Sequence, residues 1–228
     1  DESEESMNSK QLISSVIVAA ALAGTGGAFA ATSLDRPATV VPSRMTAGAL
    51  HDAMRKLWED HVTWTRLYII SAVAGQPDAK PALDRLMQNQ ADIGNAVAEY
   101  YGRPAGDQLT TLLKSHIATA GELVGAAKAG DQAKTADAKT RWYANADQIA
   151  EFLAKANPKH WQAATLKAAM KTHLDQTLDE ATHRIQGNYA ADILDYDHIV
   201  AHILGLADVL SSGIVAQFPA KFAAKGTR

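Results

Sequence analysis

Three histidines stand fourteen residues ahead of a glycine: His61 before Gly75, His116 before Gly130 and His173 before Gly187. Fourteen or fifteen residues past each glycine comes another residue that can hydrogen-bond from inside a core: Asn89, Asn145 and His202. The unit His-x13-Gly-x13/14-Asn/His recurs at offsets of 55 and then 57 residues. An antiparallel helical hairpin with the glycine at its turn explains the equal spacing. At 1.5 Å rise per residue, fourteen residues put both polar groups about 21 Å from the turn. Three such hairpins packed together would carry one polar layer through an apolar core.

Apolar periodicity supports the helices. Leu50, Met54, Leu57, His61, Trp64 and Tyr68 step by fours and threes, the spacing of one helix face, over a first helix of about 46–73. A second helix, about 80–101, carries Leu83, Leu86, Asn89, Ile93, Val97 and Tyr100. Gly102 to Gly106 reads as a break, with Asp107 capping a third helix of about 108–128 that holds His116. Helix four, about 132–155, aligns Trp142, Asn145, Ile149 and Phe152 and stops at Asn157-Pro158. Helix five runs from about 163 to 185 through His173. Helix six, about 189–214, aligns Asp195, Ile199, His202, Leu206 and Val209. No stretch of the mature chain alternates with period two. The expected fold is all-α, a six-helix bundle of three antiparallel hairpins over 46–216, with a tail from Gln217.

Charge and composition exclude several classes. With 22 basic and 25 acidic residues the chain has no basic excess to attract nucleic acid. It has no cysteine, which removes disulfides, thiolate metal sites and a lipoprotein anchor. Met7 to Lys10 begins a segment with an apolar stretch from Leu12 to Ala23 and a small-x-small site at Ala28-Phe29-Ala30. That pattern predicts a signal peptide over 7–30 and export to the periplasm or outside the cell, with no stable membrane anchor after cleavage. The apolar stretch falls short of the about 20 residues that span a bilayer. Residues 1–6 read as a cloning scar or misplaced start, and residues 31–45 as a linker.

The polar layer has two readings. Each hairpin can close its own His–Asn or His–His bond, fixing helix register as a buried asparagine does in coiled coils. Alternatively, convergence of the hairpins gathers His61, His116, His173 and His202 as ligands for a transition metal such as zinc, copper or iron. Asp195, His198 and His202 at i, i+3 and i+7 would add an oxygen ligand or a second shell. Asn89, Asn145 and Trp64 are the residues expected to contact a small ligand. Trp58, Trp64, Trp142, Tyr68 and Tyr100 line either a pocket near the layer or plain core. Arg66 either binds an anion or pairs locally at the surface. Glu122 and Asp208, each six residues past a layer histidine, point away from it and read as solvated. His51 and His160 read as surface residues, and His183 as a charge at a helix C-terminus.

The stretch Leu57-Trp58-Glu59-Asp60-His61-Val62-x-Trp64-Thr65-Arg66 resembles the opening of a family of small exported bacterial helical proteins. Asn89-Gln90-x-Asp92-Ile93-Gly94-Asn95-Ala96, Trp142-Tyr143-Ala144-Asn145-Ala146-Asp147-x-Ile149 and the Gln217-Phe218-Pro219 end continue the likeness over nearly all of the mature chain. The family has no settled biochemical role, and its members often carry an automatic glycosyltransferase label, sometimes a kinase one. The residues argue against those activities. Nucleotide-sugar transferases hold the nucleotide at strand ends, and no parallel-strand pattern occurs here. Asp195-Tyr196-Asp197 spells Asp-x-Asp, but inside a helix, where residues two apart face different ways. No phosphate-cradling Gly-x-x-x-x-Gly-Lys loop exists. The expected activity is binding of a metal ion or small ligand at the His/Asn layer. The rivals are a purely structural layer and an enzyme using the same histidines as acid–base groups.

Overall fold

The computed structural model describes residues 45–223. The expected scar and signal peptide, nearly all of the linker and the last five residues lie outside them. The described chain is all-helical: α1 (Ala47–Ala74), α2 (Ala79–Tyr101), α3 (Arg103–Lys128), α4 (Gln132–Ala156), α5 (Ala163–Ile185), α6 (Tyr189–Gln217) and α7 (Pro219–Phe222). No strand occurs among the described residues.

The three spacing glycines make three matching turns. Gly75, Gly130 and Gly187 all adopt the left-handed conformation, with φ of 69°, 71° and 74°. Each ends its helix with the same pair of hydrogen bonds. Gly75 N donates to Ala72 O at 3.2 Å and Gln76 N to Ser71 O at 2.8 Å. Gly130 with Asp131, and Gly187 with Asn188, repeat the pattern. This closure satisfies carbonyls that a helix end would leave unpaired, and it needs positive φ at one residue, which glycine adopts without strain. Side chains then start the next helices: Asp131 Oδ1 accepts from Lys134 N at 3.0 Å, and Asn188 Oδ1 from Ala191 N at 3.4 Å.

Two expectations need correction. The chain does not break over 102–106. Gly102 alone makes the bend, at φ 86°, and α3 starts at Arg103 with Pro104 in its first turn. Proline is tolerated there because first-turn N–H groups have no helical partner to lose. Gly106 serves contact rather than turning. A Cβ placed on it would lie 2.5 Å from Gly94 O and 2.6 Å from Ala98 Cβ, so α2 and α3 touch backbone to backbone. Gly106→Ala is therefore expected to lower stability by about 1–3 kcal/mol, the cost of overpacking, measured as a shifted urea midpoint. An unchanged midpoint would mean that the helices can part freely. The tail is the second correction. Its first part forms α7, where Phe222 stacks on Tyr100 at 5.7 Å and Phe218 meets the Tyr101 ring at 5.2 Å.

Each helix from α1 to α6 packs against the next, and α6 also packs against α1. In addition, α1, α3 and α5 touch one another. The odd-numbered helices, which carry the three repeat histidines, therefore meet in the interior. The main core includes Met54, Trp58, Ile93, Leu113, Ile149, Leu174, Ile203 and Ile214. A separate small cluster holds Ile69, Val124 and Ala181, one residue from each odd helix. α6 is long and apolar enough to cross a membrane by composition, but Ile199, Ile203, Leu206, Leu210 and Ile214 are spent on the core.

Candidate functional site

His61, His116 and His173 are each only 3 % exposed. The His61 and His173 rings lie 5.6 Å apart between centroids, tilted by 51°. Trp58 sets its edge against His61 at 5.7 Å, and Trp142 covers His116 at 5.3 Å.

The even-numbered helices hold this layer by one repeated device. Asn89 Nδ2 donates to Leu57 O at 3.0 Å, Asn145 Nδ2 to Leu112 O at 3.2 Å, and His202 Nε2 to Ala169 O at 2.8 Å. Each accepting carbonyl belongs to the residue four positions before a layer histidine, one turn away on the same helix. His202 is thus the counterpart of the two asparagines. The shared target pins each pair of helices at one height, as the spacing rule expects.

The imidazoles themselves are bonded differently. With Nδ2 of Asn145 committed to Leu112, its Oδ1 accepts from His116 Nδ1 at 2.9 Å. That places the His116 proton on Nδ1 and leaves Nε2 as a bare lone pair. In the first unit Gln90, not Asn89, meets the ring: Gln90 Nε2 lies 3.3 Å from His61 Nδ1, 2.8 Å from Leu86 O and 3.0 Å from Asn89 Oδ1, three acceptors around its two hydrogens. His173 makes no such bond. Only the middle unit closes the direct His–Asn pair.

Five hydrogen-bonding atoms remain unspent around the layer. They are His116 Nε2, His173 Nδ1, Gln90 Oε1, Trp58 Nε1 and Trp142 Nε1, and they are five of the eight buried, unpartnered side-chain atoms among the described residues. Native interiors leave few such atoms, so five of them on the layer residues and the rings packed against them require an explanation. Burial keeps all three rings neutral. It lowers His61 to about 3, with His116 adding repulsion, and lowers His116 to about 4. His173 is held well below its usual value by burial and by the neighbouring imidazoles.

Not every expected site residue joins the layer. Asp195 binds His183, with Oδ2 accepting from Nδ1 at 2.6 Å. His198 is exposed. Trp64 is half-buried and lies under the Arg85 guanidinium at 5.5 Å from its centroid. Asp197 is exposed while Asp195 is not, so the Asp-x-Asp pair does diverge. Among the described residues, no group of three or more His, Asp or Glu side chains is placed to hold a metal ion. Glu122 bonds Arg141 at the surface, and Asp208 bonds Arg55 and His51 while half-buried.

Arg66 is not a surface residue pairing locally. Its Nη1 donates to Glu180 Oε1 at 2.6 Å and to Asp192 Oδ1 at 2.7 Å, with Arg184 reaching Asp192 Oδ2 at 3.3 Å. The guanidinium also lies over Tyr196 at 4.8 Å. The cluster ties α1 of the first unit to α5 and α6 of the third. Burial raises Glu180 to about 7, against the pull of Arg66.

No family model, no curated protein and no solved structure matches the chain.

Gln90, Glu180 and Asp192 were missed by sequence reasoning, although a signal existed for two of them. Gln90 falls four after Leu86 and three before Ile93, on the core stripe. Glu180 falls three after Thr177 and seven after His173. A polar or charged residue in step with a buried stripe marks an interior partner.

Proposed function

We propose that the chain is an exported six-helix bundle of three antiparallel hairpins that binds a small uncharged molecule in its imidazole layer. The observation that carries this is the set of five unspent hydrogen-bonding atoms on His116, His173, Gln90, Trp58 and Trp142. They offer both donors and acceptors: an indole N–H donates, while Gln90 Oε1 and the bare His116 Nε2 accept. A molecule with hydroxyl or amide groups satisfies both kinds. Neutral rings give an anion no counter-charge. Export rests on the Met7–Ala30 pattern, and the hairpins on the three glycine turns and the packing of α6 against α1.

Two rival readings have specific support. The repeated clamp onto the Leu57, Leu112 and Ala169 carbonyls serves packing whether or not anything binds. The bare nitrogens of neutral imidazoles also suit a transition metal. Acid–base catalysis is less well served, because rings held at about 3 and 4 are poor proton carriers near neutral pH.

Native mass spectrometry and metal analysis of the protein as purified separate these readings. The proposal expects a small-molecule adduct in the wild type that is absent from a His116→Ala variant with its helical circular dichroism retained. That variant should also lose about 1–3 kcal/mol, because Asn145 Oδ1 is left without its partner. Stoichiometric zinc, copper or iron would reassign the layer to a metal. Finding neither adduct nor metal, with zinc and copper leaving Tm unchanged, would leave the layer structural and overturn the proposal.

A further inference from the structure

One helical turn beyond the imidazoles lies a cavity of about 40 Å³. The repeat explains its position. Four residues past the histidines stand Thr65, Ala120 and Thr177, and eight past them stand Ile69, Val124 and Ala181. All six line the space. The third unit has alanine where its sisters have isoleucine and valine, and the second has alanine where its sisters have threonine. Side-chain volume is missing at two places on one level, and the cavity occupies them.

Its chemistry is uniform. No residue in the lining carries a charge. Leu86, Ile117, Leu123, Trp142, Leu178 and Ile185 supply apolar wall. The hydroxyls of Thr65 and Thr177 are spent on the His61 and His173 carbonyls, both at 2.8 Å. Thr182 is exposed, and Ala127 and Ile185 are half-buried, so the space reaches solvent near the Gly130 and Gly187 turns. A cavity of about 150 Å³ takes benzene. One of about 40 Å³ admits a chain but not a ring.

We propose that this cavity is a second binding site, sharing only Trp142 with the imidazole layer, for the end of one slender, uncharged aliphatic chain entering from the turn end. The chain's methylenes lie between Ala120 and Ala181, and its polar end stays outside at Thr182. A charged head gains nothing here, since the lining has no counter-ion.

The probes are 1-octanol, cyclohexanol and 8-bromo-1-octanol, each added to the intact protein. Saturating 1-octanol is expected to raise Tm by about 3 °C. Cyclohexanol at the same concentration should not. Ala181→Ile restores the side chain of the first unit, so it should raise Tm by itself and weaken 1-octanol at least tenfold. In case that variant folds poorly, fluorescence gives a separate reading. 8-Bromo-1-octanol should quench the wild type saturably by contact with Trp142, and Trp142→Phe should lose the saturable part. Absence of saturable quenching, quenching that persists in Trp142→Phe, equal binding to a folded Ala181→Ile, or cyclohexanol binding as tightly as 1-octanol would each overturn the proposal.

Discussion

Stability is expected to fall between pH 6.5 and pH 4.5. His61, His116 and His173 are neutral in the folded state, and burial depresses each below its usual 6.5, to about 3 for His61 and about 4 for His116. A base with a depressed folded pKa contributes fully above its unfolded pKa. That contribution is lost as pH falls toward the folded value, because the unfolded chain takes up the proton first. Two pH units below 6.5, His61 and His116 each cost about 2.7 kcal/mol, at 1.36 kcal/mol per unit, and His173 acts in the same direction. Those two rings together cost about 5 kcal/mol against a typical total of 5–15 kcal/mol.

Glu180 acts in the opposite sense. Its folded pKa is raised from 4.5 to about 7, so its contribution is full below 4.5 and is lost as pH rises through 7. Acidification therefore recovers about 3 kcal/mol from this one group. The net expectation is a loss of at least about 2 kcal/mol from neutral pH to 4.5, with a slope between one and two protons depending on how far His173 is depressed. Urea titrations at half-unit pH steps measure it directly. A flat profile between pH 7 and 5 would show that the imidazoles protonate without leaving the core, and the layer would have to be open to water. The three histidines need not unfold the chain separately. They share one interior, so the first to protonate repels the other two.

How much of this was legible follows from where each constraint resides. The glycine turns were legible because positive φ is a local demand, and only glycine meets it cheaply. The height rule was legible because helical rise is constant. Convergence of the histidines was not, since it depends on α6 packing against α1, a contact that joins opposite ends of the helical region. The start of α3 was misread because Pro104 and Gly106 look like a break. One is harmless in a first turn and the other answers a neighbour's backbone. Asp195 was placed on the right face of its helix but at the wrong height. Seven residues before His202 is about 10 Å along the axis. There His183 takes the carboxylate before the layer can. Arg66 shows the limit of reading single helices. Its partners are 114 and 126 residues away, and nothing in its own helix announces them.

Arg66 is also where the largest effect of a single substitution is expected. Arg66→Ala should cost about 3–5 kcal/mol, the usual result of breaking a buried ion pair by removing one partner. The reason lies in what remains. The Glu180 and Asp192 side chains are 2 % and 1 % exposed, so water cannot replace the guanidinium. Asp192 keeps Arg184, but Glu180 keeps nothing. Arg66→Lys retains a charge yet loses the second nitrogen that reaches Asp192 Oδ2, so an intermediate loss is expected. Replacing Arg66 and Glu180 together by methionine removes the stranded charge as well and should cost less than Arg66→Ala alone. The pH dependence has a definite sign. Arg66 pulls the Glu180 pKa down, so its removal lets that pKa rise further. The deficit of Arg66→Ala should then be largest at pH 8, where Glu180 is forced to ionise, and smallest near pH 5, where it is protonated. Chemical denaturation of the three variants at both pH values tests this. A deficit that grows on acidification, or a double variant less stable than Arg66→Ala, would mean that the cluster holds α1 to α5 and α6 by its shape and not by its charges.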